Sequence, residues 1–260
     1  NLGIPADPEA VAKVSFDDLV QNVLKVGEQI KDATQWGRLS LGGTAFLPVA
    51  DSKIIVRSPM EDLVMNDSNR VPVIVGSTDS EYRLYLMPGS ELQKITDKDL
   101  RAVINELSLP TGAFQAYIKN SISAENPGDV YAQIMSDYTF RMPALYIAQI
   151  MSRNQNTWFY HFSWRSPAYN GLLGAAHFVD VPFTFGTLHT KEAENFVGIN
   201  PPQSLSESMN DAWVGFAKYG NPGWPKYSDK DKKTMFFDTK SHLGTLGDQQ
   251  ITALWENFRF

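Results

Sequence analysis

The sequence predicts an α/β fold in which a mostly parallel sheet is covered by helices. Residues 71–75 (VPVIV) form a short apolar run that is rich in β-branched side chains and ends at Gly76. Such a run is typical of a strand buried on both faces of a parallel sheet. The aromatic-rich residues 157–164 (TWFYHFSW) predict a second strand. Residues 97–152, between these runs, have mostly helical patterns, and strands separated by helices indicate layers of helices on a sheet.

Capping residues and apolar spacing predict helices towards both ends of the chain. The first forty residues have helical patterns, and Ser15 followed by Asp18 is typical of a helix N-terminus. Ser204 and Glu207 predict the start of another helix, which Gly220 ends. The remaining predicted elements are extended pieces at 45–49 and 54–56, a helix at 131–151 kinked at Pro143, a strand at 235–237 and a helix at 249–258.

Composition restricts the class of function. The 260 residues carry a formal net charge of -6 and no basic run, whereas proteins that bind nucleic acids or anionic membranes concentrate Lys and Arg on one face. A hydrophobic fraction of 43% suits a globular core, yet no apolar stretch reaches the roughly 20 residues of a membrane helix. The chain has no Cys, which excludes disulfides, thiolate metal sites and a Cys nucleophile. With no signal peptide visible, these features predict a cytoplasmic protein.

The sequence predicts neither a cofactor nor a metal ion. It has no Gly-rich phosphate loop and no His-Glu-x-x-His, and its histidines and carboxylates lack metal-ligand spacing. His161, in the aromatic strand, is predicted to be a histidine of the core or its rim. His189 and His242 lie among polar loop residues and are predicted to be solvated.

Polar residues that can do chemistry follow each of the two predicted strands. Residues 76–82 (GSTDSEY) come directly after the first strand, and functional groups of open α/β sheets lie beyond the carboxyl ends of strands. His177 lies in a Gly- and Ala-rich loop after the second strand, and imidazole suits a general base because its pKa is near neutrality. Alone, each feature is more typical of a cap, a turn or an ordinary loop residue than of a catalytic group. Their order, acid before histidine, is that of the Ser…Asp/Glu…His triad of α/β-hydrolases.

Several segments, in collinear order, resemble the type-B carboxylesterase and cholinesterase family. Residues 71–81 (VPVIVGSTDSE) are similar to the family segment that contains the triad glutamate, and residues 174–186 (GAAHFVDVPFTFG) to the one that contains the triad histidine. The other similar segments are 43–51 (GTAFLPVAD), 137–144 (DYTFRMPA), 159–164 (FYHFSW) and 213–225 (WVGFAKYGNPGWP). The resemblance implies the C-terminal half of an α/β-hydrolase, with a helical, pocket-forming insertion.

The resemblance also implies a Ser-His-Glu triad that hydrolyses carboxylic esters, with Glu81 as the acid and His177 as the general base. In such a triad the histidine accepts the serine proton and later protonates the leaving group, while the carboxylate orients the imidazole. Two departures from the family pattern have consequences. Ser80 stands where the family usually has Asp, which keeps Asp79 as a second candidate for the acid. Tyr82 stands where glycine often follows the glutamate, so the adjacent pocket wall is expected to differ.

The nucleophile is not among these residues. No Gly-x-Ser-x-Gly, the pentapeptide that places serine beside an oxyanion hole, occurs in the 260 residues. We therefore expect residues 1–260 to be the C-terminal portion of one α/β-hydrolase domain, with 97–152 as the insertion and the N-terminal, nucleophile-bearing half absent. A first residue that is Asn rather than Met fits this expectation. The chain alone is expected to be inactive, and to pair with the missing half or with itself through an exposed sheet edge.

The expected substrate is a small, neutral and fairly apolar ester. Tyr85, Phe114 and Tyr131 are candidates to line the pocket for its acyl group, and each is equally compatible with a place in the core. The alternative function is that of a non-catalytic, cholinesterase-like binding or adhesion protein. The presence of both Glu81 and His177, and the absence of Cys, favour the enzyme.

Overall fold

The structure is a computed structural model, and it describes residues 2–43, 45–65, 71–87, 90–120, 126–246 and 249–258. The chain divides into two compact units, residues 1–57 and residues 58–260. The described part of the first unit consists of short helices and irregular chain, and residues 45–49 and 54–56, predicted to be extended, form no strand there. The second unit contains the sheet and both segments predicted to carry the site.

Helices account for most of the regular structure in residues 2–43. They are α1 (Pro8–Ala12), α2 (Phe16–Gln29), α3 (Ala33–Trp36) and α4 (Leu39–Gly42). The predicted start of α2 is confirmed, because the Ser15 hydroxyl accepts a hydrogen bond from the backbone N–H of Asp18 at 3.1 Å. This bond satisfies one of the N–H groups that a helix leaves unpaired at its start. None of the residues of α2 is buried, although its apolar side chains recur at helical spacing.

The second unit is built on a sheet whose described strands lie in the order β1-β2-β3-β4. These strands are β1 (Val73–Thr78), β2 (Thr157–Phe162), β3 (Lys233–Phe237) and β4 (His242–Thr245). The pairs β1–β2 and β2–β3 are parallel, whereas β4 is antiparallel to β3. The first three strands confirm the predicted α/β class with a mostly parallel sheet. Strand β4 is not predicted, because its mostly exposed sequence HLGT has no alternation of apolar and polar residues.

Strand β2 is the central element of the core. Trp158, Phe159 and Phe162 are at most 2% exposed, as expected for a parallel strand covered on both faces. Phe162 contacts Phe183, with ring centroids 5.5 Å apart. The apolar cluster around them also includes Leu173, Val179, Leu205, Met209 and Phe237. Strand β1 is less buried over its first four residues, and within the described residues it pairs with β2 alone.

Helices cover this sheet, and the described residues of the predicted helical region 97–152 are mostly helical, as expected. The helix of residues 203–219 begins earlier than predicted: its N-cap is Pro202, not Ser204. Pro202 has no side-chain group that could accept a hydrogen bond, so the start of this helix has no side-chain cap. The described helices are α5 (Pro59–Met65), α6 (Arg83–Leu86), α7 (Glu91–Lys94), α8 (Asp97–Glu106), α9 (Ala113–Asn120), α10 (Pro127–Ser136), α11 (Met142–Met151), α12 (Val181–Phe185), α13 (Lys191–Val197), α14 (Gln203–Tyr219) and α15 (Gln249–Leu254).

A π-helical turn, Asp137–Arg141, joins α10 to α11 just before Pro143, the residue at which the sequence predicted a kink. A proline inside a helix lacks the N–H donor and its ring clashes with the carbonyl four residues earlier. Pro143 therefore lies in the first turn of α11, and the irregularity precedes it. The N–H of Met142 donates to the carbonyl of Asp137, five residues back. Such turns are frequent at functional sites, and this one contains Phe140.

Candidate active site

The turn after β1 holds the side chain of Glu81 in a defined position. Glu81 Oε1 accepts a hydrogen bond from the backbone N–H of Thr78 at 2.7 Å, which folds the carboxylate back onto the end of the strand. The N–H of Ser80 donates to the carbonyl of Ala175 at 2.9 Å. The turn is therefore attached to the loop that precedes His177. The side chain of Glu81 is only 7% exposed, so little of the carboxylate is in water.

The Gly- and Ala-rich loop after β2 brings His177 to this carboxylate. Ala175 and Ala176 are fully buried, so the loop packs closely against its surroundings. The backbone N–H of His177 donates to the carbonyl of Glu81 at 3.1 Å, and His177 Nδ1 lies 2.7 Å from Glu81 Oε2. The next residue, Phe178, has a φ of 75°. This left-handed conformation costs a non-glycine residue about 1–3 kcal/mol and is concentrated at functional sites.

The Glu81–His177 pair has the geometry of an oriented general base. A separation of 2.7 Å is that of a charge-assisted hydrogen bond. This hydrogen bond, together with the charges of Glu81 and Asp180, raises the pKa of His177 against the opposing effect of partial burial. Because Nδ1 is bonded to the carboxylate, Nε2 is the ring nitrogen that can exchange a proton with a reactant. The imidazole is accessible for this, since 38% of the His177 side chain is exposed.

Four aromatic residues form a connected set of ring contacts that reaches the imidazole, and we call them the aromatic wall: Tyr82, Tyr85, Tyr131 and Phe140. The ring centroids of Phe140 and Tyr85 lie 4.9 and 5.8 Å from that of His177. These two rings also stack on each other, with centroids 6.4 Å apart. Tyr82 extends the wall, at 5.2 Å from Tyr85 and 6.3 Å from Tyr131. The surface next to the base is therefore aromatic and largely apolar.

The structure separates the three residues that the sequence offered as pocket candidates. Tyr85 contacts His177, and Tyr131 joins the wall through Tyr82. Phe114 instead packs against the guanidinium of Arg101, whose carbon lies 4.1 Å from the ring centroid.

Sequence reasoning missed Phe140, the wall residue closest to His177, and Asp180, the second charge that acts on its imidazole. Both lie in segments that resemble the esterase family. An acid three residues after His177 was a visible signal. No local pattern indicated that the turn around Phe140 would reach the histidine.

Asp79 contacts a different histidine. Its Oδ1 lies 3.3 Å from Nε2 of His161. Burial opposes ionisation of Asp79, but the hydrogen bond and charge of His161, with the charge of Arg141, lower its pKa well below the ordinary value. The side chain of His161 is only 6% exposed, as predicted for a histidine of the core. The structure thus places Glu81, and not Asp79, against His177.

Within the described ranges, no group of three or more His, Cys, Asp or Glu side chains is arranged to hold a metal ion. No helix in the same ranges combines the length and the apolar composition needed to cross a membrane. His189 and His242 are exposed, which confirms the prediction that they are solvated.

Comparisons with known proteins support the resemblance seen in the sequence. The model of the carboxylesterase family matches residues 11–255. The para-nitrobenzyl esterase of Bacillus subtilis (strain 168) is 27% identical over 242 residues, which cover 87% of this chain and 45% of that protein. The phenmedipham hydrolase of Pseudarthrobacter oxydans is 27% identical over 240 residues, which cover 88% of this chain and 46% of that protein. The chain therefore spans about half the length of the curated relatives it matches.

Solved structures agree on the fold. A crystal structure of a Geobacillus stearothermophilus carboxylesterase at pH 6.2 superposes with a TM-score of 0.72 and 26% identity, over 86% of this chain and 49% of that one. A crystal structure of the same esterase at pH 6.8 gives a TM-score of 0.76 at 24% identity, over 97% and 50% of the two chains. These are α/β-hydrolases, in keeping with the parallel sheet and its covering helices. Since the family model extends over nearly its whole length, this chain belongs to the carboxylesterase family.

Proposed function

We propose that this chain supplies the acid, Glu81, and the general base, His177, of a Ser-His-Glu triad that hydrolyses carboxylic esters. The observation that carries the proposal is the 2.7 Å hydrogen bond between a buried carboxylate and an accessible imidazole. Membership of the carboxylesterase family, with relatives named para-nitrobenzyl esterase and phenmedipham hydrolase, supports hydrolysis as the reaction class.

The proposed reaction has two halves. His177 Nε2 takes the proton of a serine hydroxyl as its oxygen attacks the ester carbonyl, and Glu81 stabilises the imidazolium that forms. The imidazolium then gives this proton to the leaving alcohol, and an acyl-serine remains. In the second half, His177 takes a proton from a water molecule as the water oxygen attacks the acyl-serine. The imidazolium then returns this proton to the serine oxygen, and the carboxylic acid leaves.

The serine and the oxyanion hole belong, in this proposal, to a preceding half of the enzyme. Residues 1–260 would form the C-terminal part of one α/β-hydrolase domain, with 97–152 as a helical insertion. Two observations support this arrangement. The chain spans 45% and 46% of the two curated relatives, and β1 pairs within the described residues with β2 alone. The other edge of β1 can therefore pair with a further strand, from the preceding half or from a second copy.

The aromatic wall supports a neutral, fairly apolar ester as substrate. Phe140 and Tyr85 present ring surface beside His177, and the wall contributes no charged side chain. A surface of this kind favours an apolar group of the substrate over an anionic one, because ring faces offer no partner for a negative charge. The wall is thus proposed as one side of the substrate pocket.

The test uses the enzyme that includes the preceding half and a p-nitrophenyl ester. We expect His177→Ala to lower kcat by about 10⁴-fold or more, because the base is lost. His189→Ala, a change at an exposed histidine, should leave the rate unchanged. Circular dichroism of both variants checks that the fold is retained. Full activity of His177→Ala would refute the site assignment.

A second experiment tests whether the nucleophilic serine lies in a preceding half of the enzyme. The 260-residue chain alone should not hydrolyse the ester, and addition of the separately produced preceding half should restore turnover. A preceding half in which the nucleophilic serine is replaced would favour a non-catalytic binding or adhesion protein. Turnover by residues 1–260 alone would contradict the proposal, since they contain no Gly-x-Ser-x-Gly.

A further inference from the structure

The π-helical turn Asp137–Arg141 contacts both segments of the candidate active site. Immediately before it, the hydroxyl of Ser136 accepts a hydrogen bond at 2.9 Å from the backbone N–H of Tyr82, the residue that follows the acid. Within the turn, Phe140 reaches the base, with its ring centroid 4.9 Å from that of His177. The position of the turn therefore decides how the aromatic wall meets the imidazole.

A chain of buried hydrogen bonds holds the start of this turn. The indole N–H of Trp255 donates to the hydroxyl of Tyr117 at 2.8 Å, and this hydroxyl donates to Oδ2 of Asp137 at 2.7 Å. The guanidinium of Arg141 pairs with the other carboxylate oxygen of Asp137 at 2.6 Å. Tyr117 and Asp137 are 0% and 1% exposed. A charge buried to this extent needs hydrogen-bonded partners, so the carboxylate is held where Tyr117 and Arg141 meet it.

Asp137 is also the residue on which the wide turn closes, because its carbonyl accepts the N–H of Met142. A π-helical turn accommodates one residue more than an α-helical turn, and successive residues of an α-helix lie about 100° apart around its axis. A change of this turn to α-helical hydrogen bonding would therefore alter the direction in which its side chains point. The carboxylate contacts of Asp137 thus help to keep Phe140 directed at His177.

The C-terminal described residues contact the same turn through ring packing. The ring of Tyr138 stacks on that of Trp255, with centroids 6.4 Å apart, and meets Phe258 edge-on at 5.8 Å. Trp255 and Phe258 also contact each other, with centroids 5.0 Å apart. Trp255 therefore acts on the turn in two ways, through the ring of Tyr138 and through the hydrogen bond that it donates to Tyr117.

We propose that Tyr117 and Trp255 are positioning residues for the aromatic wall, acting through Asp137. They hold the π-helical turn so that Phe140 faces the imidazole of His177, and they thereby determine how well the enzyme accepts a long apolar acyl group. This inference rests on the proposed function, in which the wall is one side of the substrate pocket. The hydrogen bond between the acid and the base does not involve the turn. The expected effect is therefore on the choice of ester and not on the proton transfers.

The first experiment measures the ring-current shift that Phe140 imposes on His177 in the 260-residue chain. NMR at one fixed pH follows the Cε1–Hε1 signal of His177, which His177→Gln assigns, and Phe140→Leu gives the position of this signal without the ring. In Tyr117→Phe the signal should move towards the Phe140→Leu position, because Asp137 loses the hydrogen bond that holds the turn. Tyr219→Phe, at a tyrosine of α14 that is 80% exposed, should leave the signal unchanged.

The second experiment compares p-nitrophenyl hexanoate with p-nitrophenyl acetate as substrates of the enzyme that includes the preceding half. In Tyr117→Phe, kcat/KM for the hexanoate should fall about tenfold relative to that for the acetate, the low end of what one methylene contact contributes in an apolar pocket. Trp255→Phe removes the N–H donor but keeps a ring beside Tyr138, so it should change this ratio in the same direction but less. Tyr219→Phe should leave the ratio unchanged.

An unmoved His177 signal in Tyr117→Phe would overturn the proposal, and so would an unmoved ratio of the two esters. An equal loss of rate for both esters is the result of a merely structural role, and it would overturn the proposal as well. If Tyr117→Phe does not fold, as shown by circular dichroism, Trp255→Phe decides by the same two measurements. An unmodified enzyme without hydrolase activity would refute the proposed function, while the NMR experiment would still decide whether Tyr117 positions Phe140.

Discussion

Helices α2 and α14 have similar sequence patterns and opposite surroundings. Both have apolar residues at helical spacing, which predicts one apolar face on each. In α14 this face is covered, since Leu205 and Met209 are 2% and 0% exposed. In α2 no residue is buried, and Phe16 and Leu24 are 78% and 59% exposed. Periodicity thus identifies the apolar face of a helix, but its neighbours decide whether that face contributes to a core.

The covered face of α14 is linked to the candidate active site through α12. The hydroxyl of Ser206 donates to the carbonyl of Phe183 at 2.8 Å, and the amide of Asn210 to that of Thr184 at 2.9 Å. Helix α12 begins directly after Asp180, the last residue of the loop that carries His177. Packing in residues 58–260 therefore supports the site as well as the fold. Substitutions in residues 58–260 are therefore expected to affect activity and stability more than substitutions in residues 1–57.

The largest expected effect is on activity, and it depends on whether Glu81 or Asp79 is the carboxylate that orients His177. In the enzyme with its preceding half, Glu81→Gln should lower kcat by about 10⁴-fold, as expected when the orienting carboxylate of a triad is neutralised. Asp79→Asn should retain most of the activity, because Asp79 contacts His161 instead. Glu28→Gln, at an exposed residue of α2, should have no effect. Hydrolysis of a p-nitrophenyl ester measures all three, and a larger loss in Asp79→Asn than in Glu81→Gln would assign the acid to Asp79.

A stability test compares the two apolar faces directly. Met209→Ala, in the covered face of α14, should lower the free energy of unfolding by about 2–5 kcal/mol, because it leaves a cavity. Leu24→Ala, in the exposed face of α2, should change it by no more than about 0.5 kcal/mol. Denaturant unfolding followed by far-UV circular dichroism measures both. Equal losses would show that the α2 face is covered in solution.

Two glycine substitutions test the same difference between a packed region and an exposed helix. Gly76→Ala should destabilise the chain by about 1–3 kcal/mol, because the new Cβ meets the backbone of β2. Gly27→Ala, in the interior of α2 with no atom within 4 Å of the added Cβ, should stabilise the helix by about 0.5–1 kcal/mol. Thermal unfolding of the two variants is expected to shift in opposite directions. A neutral Gly76→Ala would show that β1 and β2 can separate at this register.

The smallest effect is a dependence of stability on pH. The pKa of His177 is raised in the folded chain, so its interaction with Glu81 stabilises the fold fully below the ordinary histidine pKa of about 6.5. This contribution is lost as the pH rises through the raised value. The stability advantage of the unmodified chain over His177→Gln should therefore be larger at pH 5.5 than at pH 8. His189→Gln should show no such trend, and an advantage that grows with pH would contradict the assigned shift.

Much of the secondary structure could be predicted because its signals are local. The cap at Ser15, the β-branched run of β1 and the aromatic run of β2 each lie within a few residues of the element they predict. Two details differ from the predictions, at the start of α14 and near Pro143, and the structure shows the local reason for each. Pro202 starts α14 ahead of the predicted cap, and the restraint imposed by Pro143 is accommodated upstream, in a π-helical turn.

The candidate site was harder to predict, because its contacts join residues that are far apart in the chain. Glu81 and Asp79 follow the same strand, and no spacing rule distinguishes them. The choice depends on the turn, in which Glu81 Oε1 accepts the N–H of Thr78 while Asp79 lies against His161. Phe140 reaches His177 from a third segment of the chain.

The sequence by itself determined the α/β class, the faces of the helices, the two segments that carry Glu81 and His177, and the lack of a nucleophile motif among these residues. These properties follow from side-chain chemistry and short-range spacing. Only the tertiary structure decided which carboxylate meets the imidazole, which rings form the aromatic wall, and that Tyr160 donates a hydrogen bond to Asp180. The physical reason is that a hydrogen bond acts over about 3 Å, and the pairing of β1 with β2 brings residues 96 positions apart to that distance.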